Sequence, residues 1–140
     1  MAGTILVLVG SYARARNLGR VLTEPGVIIR RAPDSVRAPD AAFVRQERIP
    51  PGGIPDPFLD FTPDLIVEVK SPSNTLPELQ AKVREWLEAG ARLVWVVYPE
   101  RRTVEVVRSL FDRVTLSVED TLEGGDVLPG FSCRVAELFE

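Results

Sequence analysis

Residues 63–73 read P-D-L-I-V-E-V-K-S-P-S, and the fold can be worked outward from them. Leu65, Ile66, Val67 and Val69 are apolar and mostly β-branched, and Pro63 and Pro72 bound the run, so the segment is expected to be a buried strand. Side chains alternate along a strand. Leu65, Val67 and Val69 therefore share one face, and Asp64, Ile66, Glu68 and Lys70 share the other. A carboxylate and an ammonium two residues apart then point to one side of what should be core. Burying either charge alone is costly, so such residues are kept where they are paired, metal-bound or functional. The bland alternative is a structural Glu68–Lys70 pair on a half-exposed strand, or a Lys70 already leaving the sheet.

Downstream, Ser71–Thr75 is a turn leading into a helix from about Leu76 to Ala89. Leu76, Leu79, Val83, Trp86 and Leu87 form its apolar face, with Gln80 and Lys82 on opposite flanks and Gly90 as its stop. Arg92–Tyr98 (R-L-V-W-V-V-Y) is a second apolar strand, and strand–helix–strand at this spacing implies a right-handed parallel crossover. Further strands are expected at Thr103–Arg108 and Val114–Val118, a loop over 121–130, and a helical turn at Val135–Phe139.

Upstream, Ile5, Val9, Tyr12 and Ala13 share a helical face, so residues 3–17 are expected to be helical and to end at Asn17-Leu18-Gly19, with a strand left open by Gly10 and the apolar run before it. Arg20–Arg30 reads as extended chain broken at Pro25-Gly26, Arg31–Arg37 as a turn, and Asp40–Val44 as a strand whose first residue is an acid. Residues 45–61, with four prolines, read as a long loop. The class is α/β or α+β: a mixed sheet flanked by two helices, in one domain spanning residues 1–140.

Composition removes whole classes of chemistry. The 140 residues contain no histidine and one cysteine, Cys133. That excludes a Cys/His zinc site, a Ser-His or Cys-His triad and a histidine base. A lone cysteine and no apolar run of membrane-spanning length point to the cytoplasm, with no membrane partner. The net charge of −3 gives no global basic field, but residues 1–49 carry eight Arg against four acids. Only Lys70 and Lys82 among seventeen cationic side chains are lysine, which suggests a specific demand for an ammonium at position 70.

What remains is carboxylate, lysine and hard-cation chemistry. Metal-assisted phosphodiester hydrolysis needs carboxylates from separate strands meeting at a cation, with an electrostatic stabiliser beside the attacked phosphate. Asp64 stands four extended residues, ~13 Å, from Glu68 and cannot readily be its partner. Asp40, on a neighbouring strand, is the better candidate. Mg²⁺, or Mn²⁺, suits such oxygen ligands, and Lys70 is placed to offset charge on the phosphate.

Asp40 with Glu68-Val69-Lys70 resembles the D…(D/E)-X-K signature of the PD-(D/E)XK nuclease superfamily. The chain is similar in particular to a family of small bacterial proteins described as putative restriction endonucleases. The matching text is V-R-A-P-D-A-A-F-V (36–44), P-D-L-I-V-E-V-K-S-P-S (63–73), E-L-Q-A-K (78–82), A-G-A-R-L-V-W-V-V-Y-P (89–99), R-T-V-E-V-V-R (102–108) and L-P-G-F (128–131). The resemblance implies a restriction-endonuclease-like mixed sheet and a Mg²⁺-dependent endonuclease acting on DNA. It implies that Asp40, Glu68 and the backbone carbonyl of Val69 hold the metal, that Lys70 is the catalytic lysine, and that Lys82 is the family's helix lysine. A solvated surface lysine is the alternative for Lys82.

Relatives usually begin with a further hairpin carrying an acid, and their first helix usually starts with a histidine. Their absence leaves a sheet edge uncovered, from which a homodimer is expected. It also keeps open a catalytically impaired module that binds nucleic acid through Arg14, Arg16, Arg20, Arg30 and Arg31, or that simply dimerises. A Ser–Lys hydrolase using Ser71 or Ser73 is a third, weaker option.

Overall fold

A computed structural model describes residues 2–31 and 33–140. Its centre is a six-stranded sheet in the order β1-β4-β6-β7-β8-β9. These strands are β1 (Gly19–Thr23), β4 (Ala41–Arg45), β6 (Leu65–Val69), β7 (Leu93–Tyr98), β8 (Thr103–Ser109) and β9 (Asp112–Leu116). Only β6 and β7 pair in parallel, as expected for strands joined through a helix. A smaller sheet in the order β3-β2-β5 is built from β2 (Gly26–Arg30), β3 (Ser35–Arg37) and β5 (Phe58–Leu59). β10 (Thr121–Glu123) pairs with β11 (Ser132–Arg134), and a 3-10 turn follows at Val135–Phe139. No described helix is long and apolar enough to cross a membrane.

The two helices cover opposite faces of the large sheet. Helix α1 (Ala2–Ala15) buries Ile5, Val9 and Ala13 against Phe43, Leu65, Val67 and Trp95. Its β-branched residues are poor helix formers, but the i, i+4, i+8 stripe finds a wholly apolar wall, and packing overrides propensity. It stops in a Schellman motif: Asn17 takes φ 53°, Leu18 N–H donates to Ala13 at 2.9 Å, and Asn17 N–H donates to Arg14 at 3.3 Å.

Helix α2 (Leu76–Glu88) buries Leu79, Val83 and Trp86 against Ala42, Ile66, Val94 and Val96 on the other face. A reciprocal capping box between Thr75 and Glu78 starts it, and Gly90 at φ 108° ends it. The β6 alternation is as the sequence implies: Leu65 and Val67 face α1, and Ile66 faces α2.

Three segments differ from expectation. Ser35–Arg37, read as part of a turn, forms β3 against β2, although Pro33-Asp34 does turn the chain; Ala32, within the expected turn, lies outside the described residues. Thr121–Glu123, read as loop, pairs with Ser132–Arg134 to bury Leu122. Both strands are three residues long, below the length at which alternation is legible. The long loop contains a 3-10 turn at Gln46–Arg48 and the two-residue strand Phe58–Leu59, held by parallel pairing to Gly26 and Val27.

Gly19, where α1 hands over to β1, tolerates no side chain. A Cβ there would collide with the Val44 carbonyl and lie 2.8 Å from the Phe43 ring. Gly19→Ala is expected to cost ~2–4 kcal/mol in urea or thermal unfolding, because the obstacle is backbone and a fully buried aromatic ring.

Candidate active site

The sheet register brings two of the expected acids together. β4 and β6 run antiparallel with Ala41 opposite Val67 and Ala42 opposite Ile66. One step further along this register stands Asp40 opposite Glu68, and directly opposed residues share a sheet face. The ladder continues to that point, since Asp40 N–H donates to the Val67 carbonyl at 3.1 Å. Asp40 itself immediately precedes β4 rather than opening it.

The Asp40 side chain reaches across the strands. Its Oδ2 accepts the Val69 N–H at 2.6 Å, which ties the acid to the residue between Glu68 and Lys70. Glu68 is buried at 6% exposure, and its Oε2 accepts the indole N–H of Trp86 at 2.8 Å. The second oxygen of each carboxylate makes no hydrogen bond to any described residue.

Burial pushes the Glu68 carboxyl up from 4.5 to about 7. The Trp86 hydrogen bond opposes that rise, the like charge of Asp40 adds to it, and the Lys82 ammonium opposes it. Lys82 therefore lies within electrostatic reach of Glu68. It stands four residues before Trp86 on α2, so both project from one side of the helix toward the acid.

Lys70 follows β6 but stays in the ladder, its N–H donating to Val97 at 2.9 Å, and alternation puts its side chain on the Glu68 face. Its ammonium donates to the Ser71 carbonyl at 3.3 Å. A cavity of about 410 Å³ opens beside it, lined also by Asn74, Tyr98 and Arg101. Ser71 Oγ donates to Asn74 Oδ1 at 2.9 Å, and Asn74 N–H returns to the Ser71 carbonyl at 3.0 Å. Neither Ser71 nor Ser73 offers its hydroxyl to Lys70, which removes the support for a Ser–Lys nucleophile.

Asp64 lies outside this group. It is wholly buried at the other end of β6, with Oδ2 accepting the Arg45 N–H at 2.8 Å. Its Oδ1 lies 3.0 Å from the Arg48 guanidinium, an ion pair without hydrogen-bond alignment. Its role there is structural: it joins β4, the following 3-10 turn and β6.

Two parts of the site were not legible as such in the sequence. Trp86 reads as one more apolar-face residue, although a buried indole N–H needs an acceptor and Glu68 was the acid available on that face. The other part is a brace behind the site. Gln80 donates to the Tyr98 hydroxyl at 3.2 Å and to Glu105 at 3.4 Å, while accepting from Arg113. Arg113 also binds Glu105 at 2.9 Å. This network ties α2 to β7, β8 and β9, and so fixes the height of Trp86 and Lys82 above Glu68.

Among the described residues no group of three or more His, Cys, Asp or Glu converges on a point. The donor set is thus two carboxylates, each with one oxygen uncommitted, plus backbone carbonyls and water. Hard divalent cations of the Mg²⁺ type take such ligands and keep several waters, so the residues present fit one.

No curated protein sequence matches the chain. Among solved structures it is similar to a putative nuclease belonging to DUF820 from Anabaena variabilis ATCC 29413. The TM-score is 0.85 at 18% identity, covering 98% of this chain and 76% of that one, which establishes a shared fold. The family Uma2, described as "Putative restriction endonuclease", matches residues 1–136. The chain belongs to the Uma2 family and has its nuclease-like fold.

Proposed function

We propose that this protein is an endonuclease that hydrolyses DNA phosphodiester bonds with Mg²⁺ or Mn²⁺, acting as a single domain over residues 1–140. The observation that carries the reading is the placement of Asp40 across the β4–β6 register from Glu68, with its Oδ2 on the Val69 N–H. Asp40, Glu68 and the Val69 carbonyl would hold the cation, which when bound lowers the pKa of a coordinated water and offsets phosphate charge. Asp40 Oδ1 and Glu68 Oε1, which accept from no described residue, would be the oxygens offered to it. Lys70 presents an ammonium to the phosphate from the cavity side, and Lys82 adds a second positive charge from α2. Buried Leu79, Val83 and Ile66 keep the floor of the site dry, which strengthens each of these interactions.

The test is nicking of supercoiled plasmid DNA with Mg²⁺ or with chelator. Lys70→Ala leaves both carboxylates and should cut cleavage by at least ~10²-fold while cation binding survives, the scale of losing one electrostatic stabiliser. Equal cleavage by parent and variant would remove Lys70 from the chemistry.

We further propose a homodimer in the cytoplasm, where the lone thiol of Cys133 stays reduced. β1 is an edge strand of the large sheet, and Val7 on the adjoining helix is 65% exposed, so an apolar flank and free backbone groups lie together. Sedimentation at tens of micromolar protein, roughly the usual assay range, should show a dimer; a monomer there would count against it.

A further inference from the structure

We propose that Trp86 is a positioning residue that holds Glu68 to one-oxygen coordination, so that the site favours Mg²⁺ and Mn²⁺ over Ca²⁺. The inference rests on the reading of Asp40 and Glu68 as cation ligands. It adds a determinant of cation choice that lies on α2 and touches no cation itself.

The indole nitrogen lies 2.8 Å from Glu68 Oε2, and both groups are buried, Trp86 at 2% and Glu68 at 6% exposure. A hydrogen bond to an ionised carboxylate in such a place is charge-assisted and strong, and the donor has no water to turn to instead. Nor is the ring free to move away. Leu79 and Val83 pack beside it, α2 is fixed by its capping box and its Gly90 stop, and the Gln80–Arg113–Glu105 brace holds the helix to β8 and β9.

Asp40 shows the same arrangement by other means, with Oδ2 committed to the Val69 N–H at 2.6 Å. Both acids therefore present one oxygen each. Ca²⁺ takes six to eight oxygens, often with bidentate carboxylates, at about 2.3–2.6 Å. Mg²⁺ is satisfied by single oxygens and water in an octahedron at about 2.0–2.1 Å. A pair of carboxylates restrained to one oxygen each suits the smaller ion and denies Ca²⁺ the ligands that would compensate for its weaker bonds.

The test compares MgCl₂ and CaCl₂ affinities by calorimetry at about pH 8, without DNA, for parent and Trp86→Phe. Phenylalanine keeps an aromatic ring but removes the N–H, freeing Oε2 to join Oε1 on a larger ion. The Ca²⁺-to-Mg²⁺ affinity ratio should rise about 10-fold or more, the scale of losing a ligand-orienting hydrogen bond. A merely structural Trp86 would weaken both ions alike, and an unchanged or lower ratio overturns the proposal. Should Trp86→Phe not fold, both tryptophans can be replaced biosynthetically by benzothienylalanine, which has sulfur in place of the N–H. The Trp95 indole nitrogen finds no hydrogen-bond partner among the described residues, so the exchange costs no observed bond there. The same rise in ratio is expected. A parent that binds neither ion overturns the cation-site reading itself, whereas a parent that binds both with a ratio indifferent to the exchange overturns only the part assigned to Trp86.

Discussion

Glu68→Gln in chelator should gain stability over the parent as pH rises from about 5 to about 8, by on the order of 3 kcal/mol at the upper end. The cause is the rise of the folded-state Glu68 carboxyl from 4.5 to about 7. Between these values the folded protein holds a proton that the unfolded chain has released. Stability attributable to Glu68 therefore falls as pH rises through that window and levels off above it. The groups bearing on it are Asp40, whose charge opposes ionisation, and Lys82 and Trp86, which favour it. Glutamine carries no charge to desolvate, and its amide oxygen still accepts the Trp86 N–H. Urea unfolding of both proteins at several pH values reads the difference directly. Parallel pH profiles would mean that Glu68 is ionised in the fold without cost, as a structural Glu68–Lys70 pair requires.

Asp64→Ala should destabilise the protein by ~2–4 kcal/mol and leave cation binding intact. The carboxylate is wholly buried, accepts the Arg45 N–H at 2.8 Å and faces the Arg48 guanidinium at 3.0 Å. Its removal strands a buried backbone donor and a cation. Arg48 is 37% exposed and can rehydrate, which keeps the cost below that of a fully sealed pair. Thermal melts should show a fall of about 10 °C, since each kcal/mol is worth a few degrees in a domain of this size. Loss of cation binding with little loss of stability would instead place Asp64 in the site.

The contrast between these two acids shows where sequence reading succeeds and stops. Period-2 alternation in 65–69 placed Leu65 and Val67 on one face and Ile66 on the other, because a strand buried on both faces leaves no freedom of register. The α2 stripe and the Asn17 stop of α1 were legible for similar local reasons. Asp64 and Glu68 look alike in that alternation, yet one is a structural hub and the other lies across from Asp40. Which acid meets which partner depends on the β4–β6 register, a long-range property. The Trp86 contact depends on where α2 comes to rest over the sheet. That height is set by Gln80, Glu105 and Arg113, which are 33 residues apart at the extremes and carry no shared local pattern. The three-residue strands at 35–37 and 121–123 escaped because pairing across a turn, not composition, makes them strands.

The central claim is that Asp40 and Glu68 together form one divalent-cation site, and Mn²⁺ binding followed by electron paramagnetic resonance tests it most directly. At about pH 8, where Glu68 with its carboxyl near 7 is ionised, the parent should bind Mn²⁺ in competition with Mg²⁺. Asp40→Asn and Glu68→Gln should each weaken that binding by about 10-fold or more, since each removes an anionic ligand. Failure of the parent to bind Mn²⁺, or binding that both variants retain undiminished, would contradict the account.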